Sequence, residues 1–134
     1  MDVDLEKLIY NLKKKDAVVS AYLFGSQRNP PTGPLSDVDI AVFFNPPLTW
    51  KEYLDWWSEL SLQTGLGDQL DLINLNEADT LLQFEAIFRG KNLFTKDRKL
   101  QQDLEEKVLR DYLDTDYLRR LREEYLYLSL PRGS

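Results

Sequence analysis

Cysteine and histidine are both missing from the 134 residues of this chain. Without cysteine there are no disulfides, zinc–thiolate sites or thiol nucleophiles. Without histidine there is no imidazole acid–base catalysis, Ser-His-Asp chemistry or histidine metal ligation. No apolar run reaches the roughly 20 residues needed to span a bilayer. Residues 1–10 are charged and lack the apolar stretch of a secretion signal. The expectation is therefore a cytoplasmic protein with no membrane partner. Positive charge is also scarce. Seventeen Lys and Arg against 23 Asp and Glu leave a formal net charge of −6, which argues against a broad basic face for nucleic acid. The chemistry must come from carboxylates, Lys, Arg, Tyr, Ser and Thr.

The length suits one domain with a proper core, and an apolar share of 43% with 30% charged residues is ordinary for a globular protein. Leu5, Leu8, Ile9 and Leu12 recur at helical spacing and predict a helix ending near residue 15. Residues 17–24 are β-branched and aromatic, and read as a strand stopped by Gly25. The stretch 27–36 holds Pro30, Pro31, Gly33 and Pro34 and reads as a loop. A second strand over 37–44 is apolar on both faces, which predicts burial. Thr49 and Glu52 have capping-box spacing for a helix reaching about residue 63. Its expected inward stripe is Trp50, Tyr53, Leu54, Trp57 and Leu60 or Leu62. Gly65-Leu66-Gly67 reads as a turn, and 69–75 as a third strand carrying Asp71. Asn76 is the expected cap of the next helix, which runs to Arg89-Gly90. A short edge strand over 92–95 and a helical stretch from 96 to about 128, broken near Asp114, complete the pattern. The order predicts a mixed α/β (α+β) domain, a small sheet flanked by helices. It is read as a single domain over 1–134, with a core of about 5–95 and a C-terminal helical segment of about 96–128.

One constellation stands out. Gly25-Ser26 is followed, after ten residues, by Asp37-Val38-Asp39 at the head of a strand. Alternate residues of a strand face one way, so Asp37 and Asp39 share a face. Two adjacent carboxylates repel unless a cation neutralises them, and a hard ion such as Mg²⁺ prefers oxygen ligands and bridges to phosphates. A glycine lets a phosphate approach the backbone, and turn N–H groups favour anions. The Ser26 hydroxyl can add a hydrogen bond. Asp71, on another predicted strand, can join the pair. Three converging acids beside an anion-binding turn suit phosphoryl or nucleotidyl transfer. Two ions about 3.5–4 Å apart would clamp the attacking and leaving oxygens. The third acid would accept the nucleophile's proton.

The spacing Gly25-Ser26, ten residues, Asp37-Val38-Asp39 resembles the signature of the DNA polymerase β-type nucleotidyltransferase superfamily. With its small size, the chain resembles the minimal nucleotidyltransferase (MNT) antitoxins of HEPN/MNT toxin–antitoxin modules. The segment from Phe84 through Gly90 to Phe94 is similar to the helix-turn-strand after that family's third acid. The resemblance covers about residues 5–95. It implies a polymerase β-like fold and metal-dependent transfer of AMP from ATP to a tyrosine of a HEPN ribonuclease toxin, held as a hetero-oligomer. By the same resemblance, Gly25 and Ser26 would bind the nucleotide, and Asp37, Asp39 and Asp71 would be catalytic metal ligands. Many relatives carry Arg directly after Gly-Ser, whereas this chain has Gln27 and then Arg28. The toxin's own catalytic motif needs histidine, so the resemblance implies the antitoxin half.

Asp68 sits in a turn and suits a loop. Asp114 and Asp116 lie in helical sequence, where residues two apart face differently, and read as capping or solvation. Gly65-x-Gly67 is no dinucleotide fingerprint, because a third glycine is missing and a strand follows. Trp56 and Trp57 cannot both face the core. Tyr112, Tyr117, Tyr125 and Tyr127 with Leu113, Leu118, Leu121 and Leu128 fit core packing and a protein interface about equally. Arg119, Arg120 and Arg122 read as a solvated face. Two other functions fit the residues: a non-catalytic antitoxin that masks its toxin, and an aminoglycoside-type small-molecule nucleotidyltransferase.

Overall fold

The computed structural model describes residues 5–24, 38–66 and 70–129, apart from the side chains of Val38, Thr115, Asp116 and residues 127–129. Nine elements follow in chain order among them: α1 (Leu5–Lys13), β1 (Val18–Phe24), β2 (Val38–Phe44), α2 (Trp50–Thr64), β3 (Leu70–Asn74), α3 (Thr80–Phe88), β4 (Lys91–Thr95), α4 (Arg98–Tyr112) and α5 (Thr115–Ser129). The strands form one mixed sheet in the order β3-β2-β1-β4. β1 runs antiparallel to β2 and β4, and β2 runs parallel to β3. α2 is the crossover between the parallel strands β2 and β3, as that connection requires.

Helices cover both faces. Leu8, Leu12, Ile40, Val42, Trp56, Leu60 and Leu72 form one core, beneath α1 and α2. Tyr22, Ala41, Leu75, Ala86, Ile87 and Val108 form the other, beneath α3 and α4. Ile40 and Val42 lie on one side of β2 and Ala41 on the other, as the alternation of a strand demands. Ile40, Ala41 and Val42 are buried because helices cover both faces, as the apolar sequence of β2 predicts.

Local chemistry sets the element ends. The Thr49 hydroxyl accepts from the Glu52 N–H at 3.1 Å while the Glu52 carboxylate accepts from the Thr49 N–H at 2.8 Å, the expected reciprocal cap. Those bonds hold the Glu52 carboxyl below its usual range. Gly65 ends α2 at φ 71°, the left-handed region that glycine enters without steric cost. Asp97 caps α4 through the Leu100 N–H. Asp114, at the predicted break, accepts from the Tyr117 N–H at 3.2 Å as α5 begins, so its capping reading holds.

Two expectations need correction. The cap of α3 is Asp79, which accepts from the Leu82 N–H at 2.9 Å. Asn76 instead grips the end of β2, accepting from the Phe44 N–H and donating to the Phe44 carbonyl, both at 2.9 Å. An amide with a donor and an acceptor can satisfy both backbone groups of one residue, which a cap cannot use. The inward stripe of α2 holds for Tyr53, Trp57 and Leu60, which lie in or against the core, and is rotated for the rest. Trp56 and Leu60 are buried, whereas Trp50 is 72% and Leu62 84% exposed, and Leu54 is exposed too. Tyr53, Trp56 and Leu60 recur at i, i+3 and i+7, and that face meets the sheet.

Candidate active site

The site is built where β1 ends and β2 and β3 begin. Asp39 pairs with Phe24 across the antiparallel ladder and with Asp71 across the parallel one. Phe24, Asp39 and Asp71 therefore form one row across three strands. Residues directly opposite in a ladder project to the same face. That face is the one under α3 and α4, since Phe24, Phe43 and Ile73 pack against the core there. Asp39 is half-buried and Asp71 exposed, because β3 is the edge of the described sheet. The expectation that a neighbouring strand sets Asp71 beside the first acids is met for Asp39.

Gly25, Ser26 and Asp37 lie outside the described residues, as do Gln27, Arg28 and Asp68. No cluster of three or more acids is assembled among the described residues. The ladder does establish that β1 ends, at Phe24, directly beside Asp39. Gly90 seals that point from behind. A methyl group there would overlap the Ala86 carbonyl and stand 2.8 Å from the Leu23 carbonyl and 3.0 Å from the Phe24 Cβ. Only a residue without Cβ lets the end of α3 sit this close to the end of β1.

Tyr53 approaches the acids from the opposite face. Its hydroxyl donates to the Leu72 carbonyl at 3.1 Å, one residue beyond Asp71. Burial, with the Asp71 charge adding to it, pushes the phenol pKa up to about 12. The phenol thus stays protonated, and remains a donor, throughout the neutral range. The sequence placed Tyr53 on an apolar stripe and carried no sign of this bond, because a separation of nineteen residues is closed only by the crossover.

Trp56, of the adjacent tryptophans, enters the core and packs edge-on against Phe44 at 5.3 Å, while Trp57 is half-buried. Tyr112 stacks on Phe84 at 3.8 Å, whereas Tyr125 is 71% exposed, so the late aromatics divide between packing and surface.

Residues 6–99 match the family model of the polymerase beta nucleotidyltransferases. The chain belongs to that family. No curated protein matches it. The nucleotidyltransferase fold is shared with solved structures at low identity. A chain in the crystal structure of a toxin–antitoxin with AMP-PNP is 24% identical, with a TM-score of 0.70, over 92% of this chain and 95% of that one. A chain in the toxin–antitoxin MntA-HepT structure is 24% identical, with a TM-score of 0.64, over 90% and 92%. A chain in the structure of a tri-AMPylated Shewanella oneidensis HEPN toxin with its MNT antitoxin is 23% identical, with a TM-score of 0.61, over 89% and 95%. Among the described residues of this nucleotidyltransferase, no helix is long and apolar enough to cross a membrane.

Proposed function

We propose that this nucleotidyltransferase is an MNT antitoxin that transfers AMP from ATP to a tyrosine of a cognate HEPN toxin. The observation that carries this reading is the side-by-side placement of Asp39 and Asp71 next to the end of β1. Family membership supports nucleotidyl transfer, and the solved relatives support the partner.

The donors fit Mg²⁺. Asp39 and Asp71 offer oxygen ligands only, on one face and at one level of adjacent strands, with Asp37 proposed as the third. When bound, Mg²⁺ supplies charge neutralisation for the triphosphate and the leaving pyrophosphate. Gly25 N–H and the Ser26 hydroxyl would hold phosphate oxygens as the strand ends. Asp71, exposed at the sheet edge, would meet the incoming protein side chain and accept the tyrosine proton. The tyrosine oxygen then forms the bond to the α-phosphorus and pyrophosphate departs. Catalysis on this reading is positioning and electrostatics, as a chain without histidine or cysteine requires.

The test incubates the protein with labelled ATP, Mg²⁺ and the product of its neighbouring gene. Label should enter a tyrosine of the partner, and Asp39→Asn should reduce the rate by about 10²–10³-fold, the scale of a lost transition-state charge contact. Equal labelling by Asp39→Asn, or none by the intact protein, rejects the enzymatic reading. A complex that forms and silences the partner without label would establish masking instead.

A further inference from the structure

We propose that Tyr53 is a positioning residue for Asp71, pinning the open edge of the sheet so that the acid stays level with Asp39. This rests on the reading of Asp71 given above.

The argument begins with backbone direction. Along a strand, successive carbonyl and N–H groups point alternately to the two sides. The Leu75 N–H bonds to the Val42 carbonyl at 2.9 Å, toward β2. Asp71 and Ile73 share the parity of Leu75, so their backbone groups also face β2. Leu72 has the opposite parity, and its carbonyl faces away from β2, toward the edge. Tyr53 is the group that meets it. An edge strand held only from one side frays more readily than an interior one. Fraying of β3 would carry Asp71 out of line with Asp39, while Asp39, on an interior strand, would stay.

The phenol is held for this purpose. The exposed ring of Trp50 lies nearly parallel to Tyr53 at 6.1 Å. Phe44 meets it edge-on at 6.1 Å, and Trp56 lies at 6.2 Å. These rings flank the phenol whose hydroxyl donates to the Leu72 carbonyl. This also accounts for a tryptophan left in solvent at the start of α2.

The experiment is a double-mutant cycle on the full chain with its partner, using Tyr53→Phe, Asp71→Asn and the two together. Tyr53→Phe keeps the ring and removes only the hydroxyl. If Tyr53 acts through Asp71, Tyr53→Phe lowers kcat by about five- to tenfold with the KM for ATP unchanged, the effect of one lost hydrogen bond. The double variant is then no slower than Asp71→Asn. Multiplying effects would overturn the proposal, because they mean that Tyr53 acts elsewhere. Hydrogen exchange supplies a readout independent of activity. The amides of residues 70–74 should exchange faster in Tyr53→Phe while those of β1 and β2 do not change. Unchanged protection in β3 overturns the pinning even if transfer falls. An intact protein that transfers nothing rejects the function proposed above, and the exchange result still decides whether Tyr53 holds the edge.

Discussion

At the scale of single residues, two positions stand against the end of β1. Gly90 is one. A methyl group placed there meets two backbone carbonyls, which cannot rotate away as a side chain does. Gly90→Ala should destabilise the protein by about 1–3 kcal/mol, the usual cost of overpacking, read as a lower urea midpoint. The strain falls on Leu23 and Phe24, immediately before Gly25, so loss of transfer beyond the loss of folded protein is expected. Asp39 is the other. The pattern Asp-Val-Asp at the head of an apolar strand singled it out in the sequence, because strand periodicity puts the two acids on a shared face. Its partner Asp71 could be placed on a strand, yet the register that brings the two level is a property of the parallel ladder.

At the scale of elements, α2 shows where periodicity succeeds and where it stops. The start of the helix was legible, since the Thr49–Glu52 box needs only local atoms. So was its end at Gly65. The rotation of the helix was not, because an aromatic-rich helix with Trp50, Tyr53, Trp56 and Trp57 offers several apolar faces, and only contact with Phe44 and Leu72 selects one. The selection has an energetic consequence. Trp56→Ala should cost about 3–5 kcal/mol, whereas Trp50→Ala should cost no more than the roughly 1.5 kcal/mol of a ring stack. Chemical denaturation of the two variants checks the order, and equal costs would contradict the observed rotation. Asn76 makes the same point: its spacing suits a cap, but the end of β2 lies nearby in space and takes both of its hydrogen-bonding groups.

At the scale of the whole molecule, stability should follow the phenols rather than any imidazole. Tyr22 is buried, its hydroxyl accepting from Gln101 at 3.1 Å and donating to Glu105 at 3.2 Å across the sheet to α4. Burial raises its pKa, with the Gln101 bond opposing. Tyr53 is raised to about 12, first by burial and then by Asp71. The folded state of each phenol therefore holds its proton more tightly than the unfolded chain, whose tyrosines ionise near pH 10. Their contribution is complete below about pH 10 and is lost as the pH rises toward the folded values. The urea midpoint should stay level from pH 6 to 8, where no histidine titrates, and fall between about pH 10 and 12. Tyr53→Phe should remove part of that fall. The ion pairs Lys51–Asp55, Arg89–Glu85, Lys99–Asp103 and Lys107–Asp111, among the described residues, each lie one helical turn apart at the surface, so added salt should weaken them with little shift of the midpoint.

The linear order of residues by itself determined the elements and their chemistry. Apolar periods, a capping box and a helix-ending glycine depend on neighbours within a few positions. It also determined that thiol and imidazole chemistry is absent from these residues, which leaves carboxylates, Lys, Arg and hydroxyl groups. Only the tertiary structure decided which strands lie side by side, which face of α2 turns inward, and that Asp39 and Asp71 stand level. Those outcomes depend on long-range packing and ladder register, in which a shift of one residue would turn the acids to the other face of the sheet.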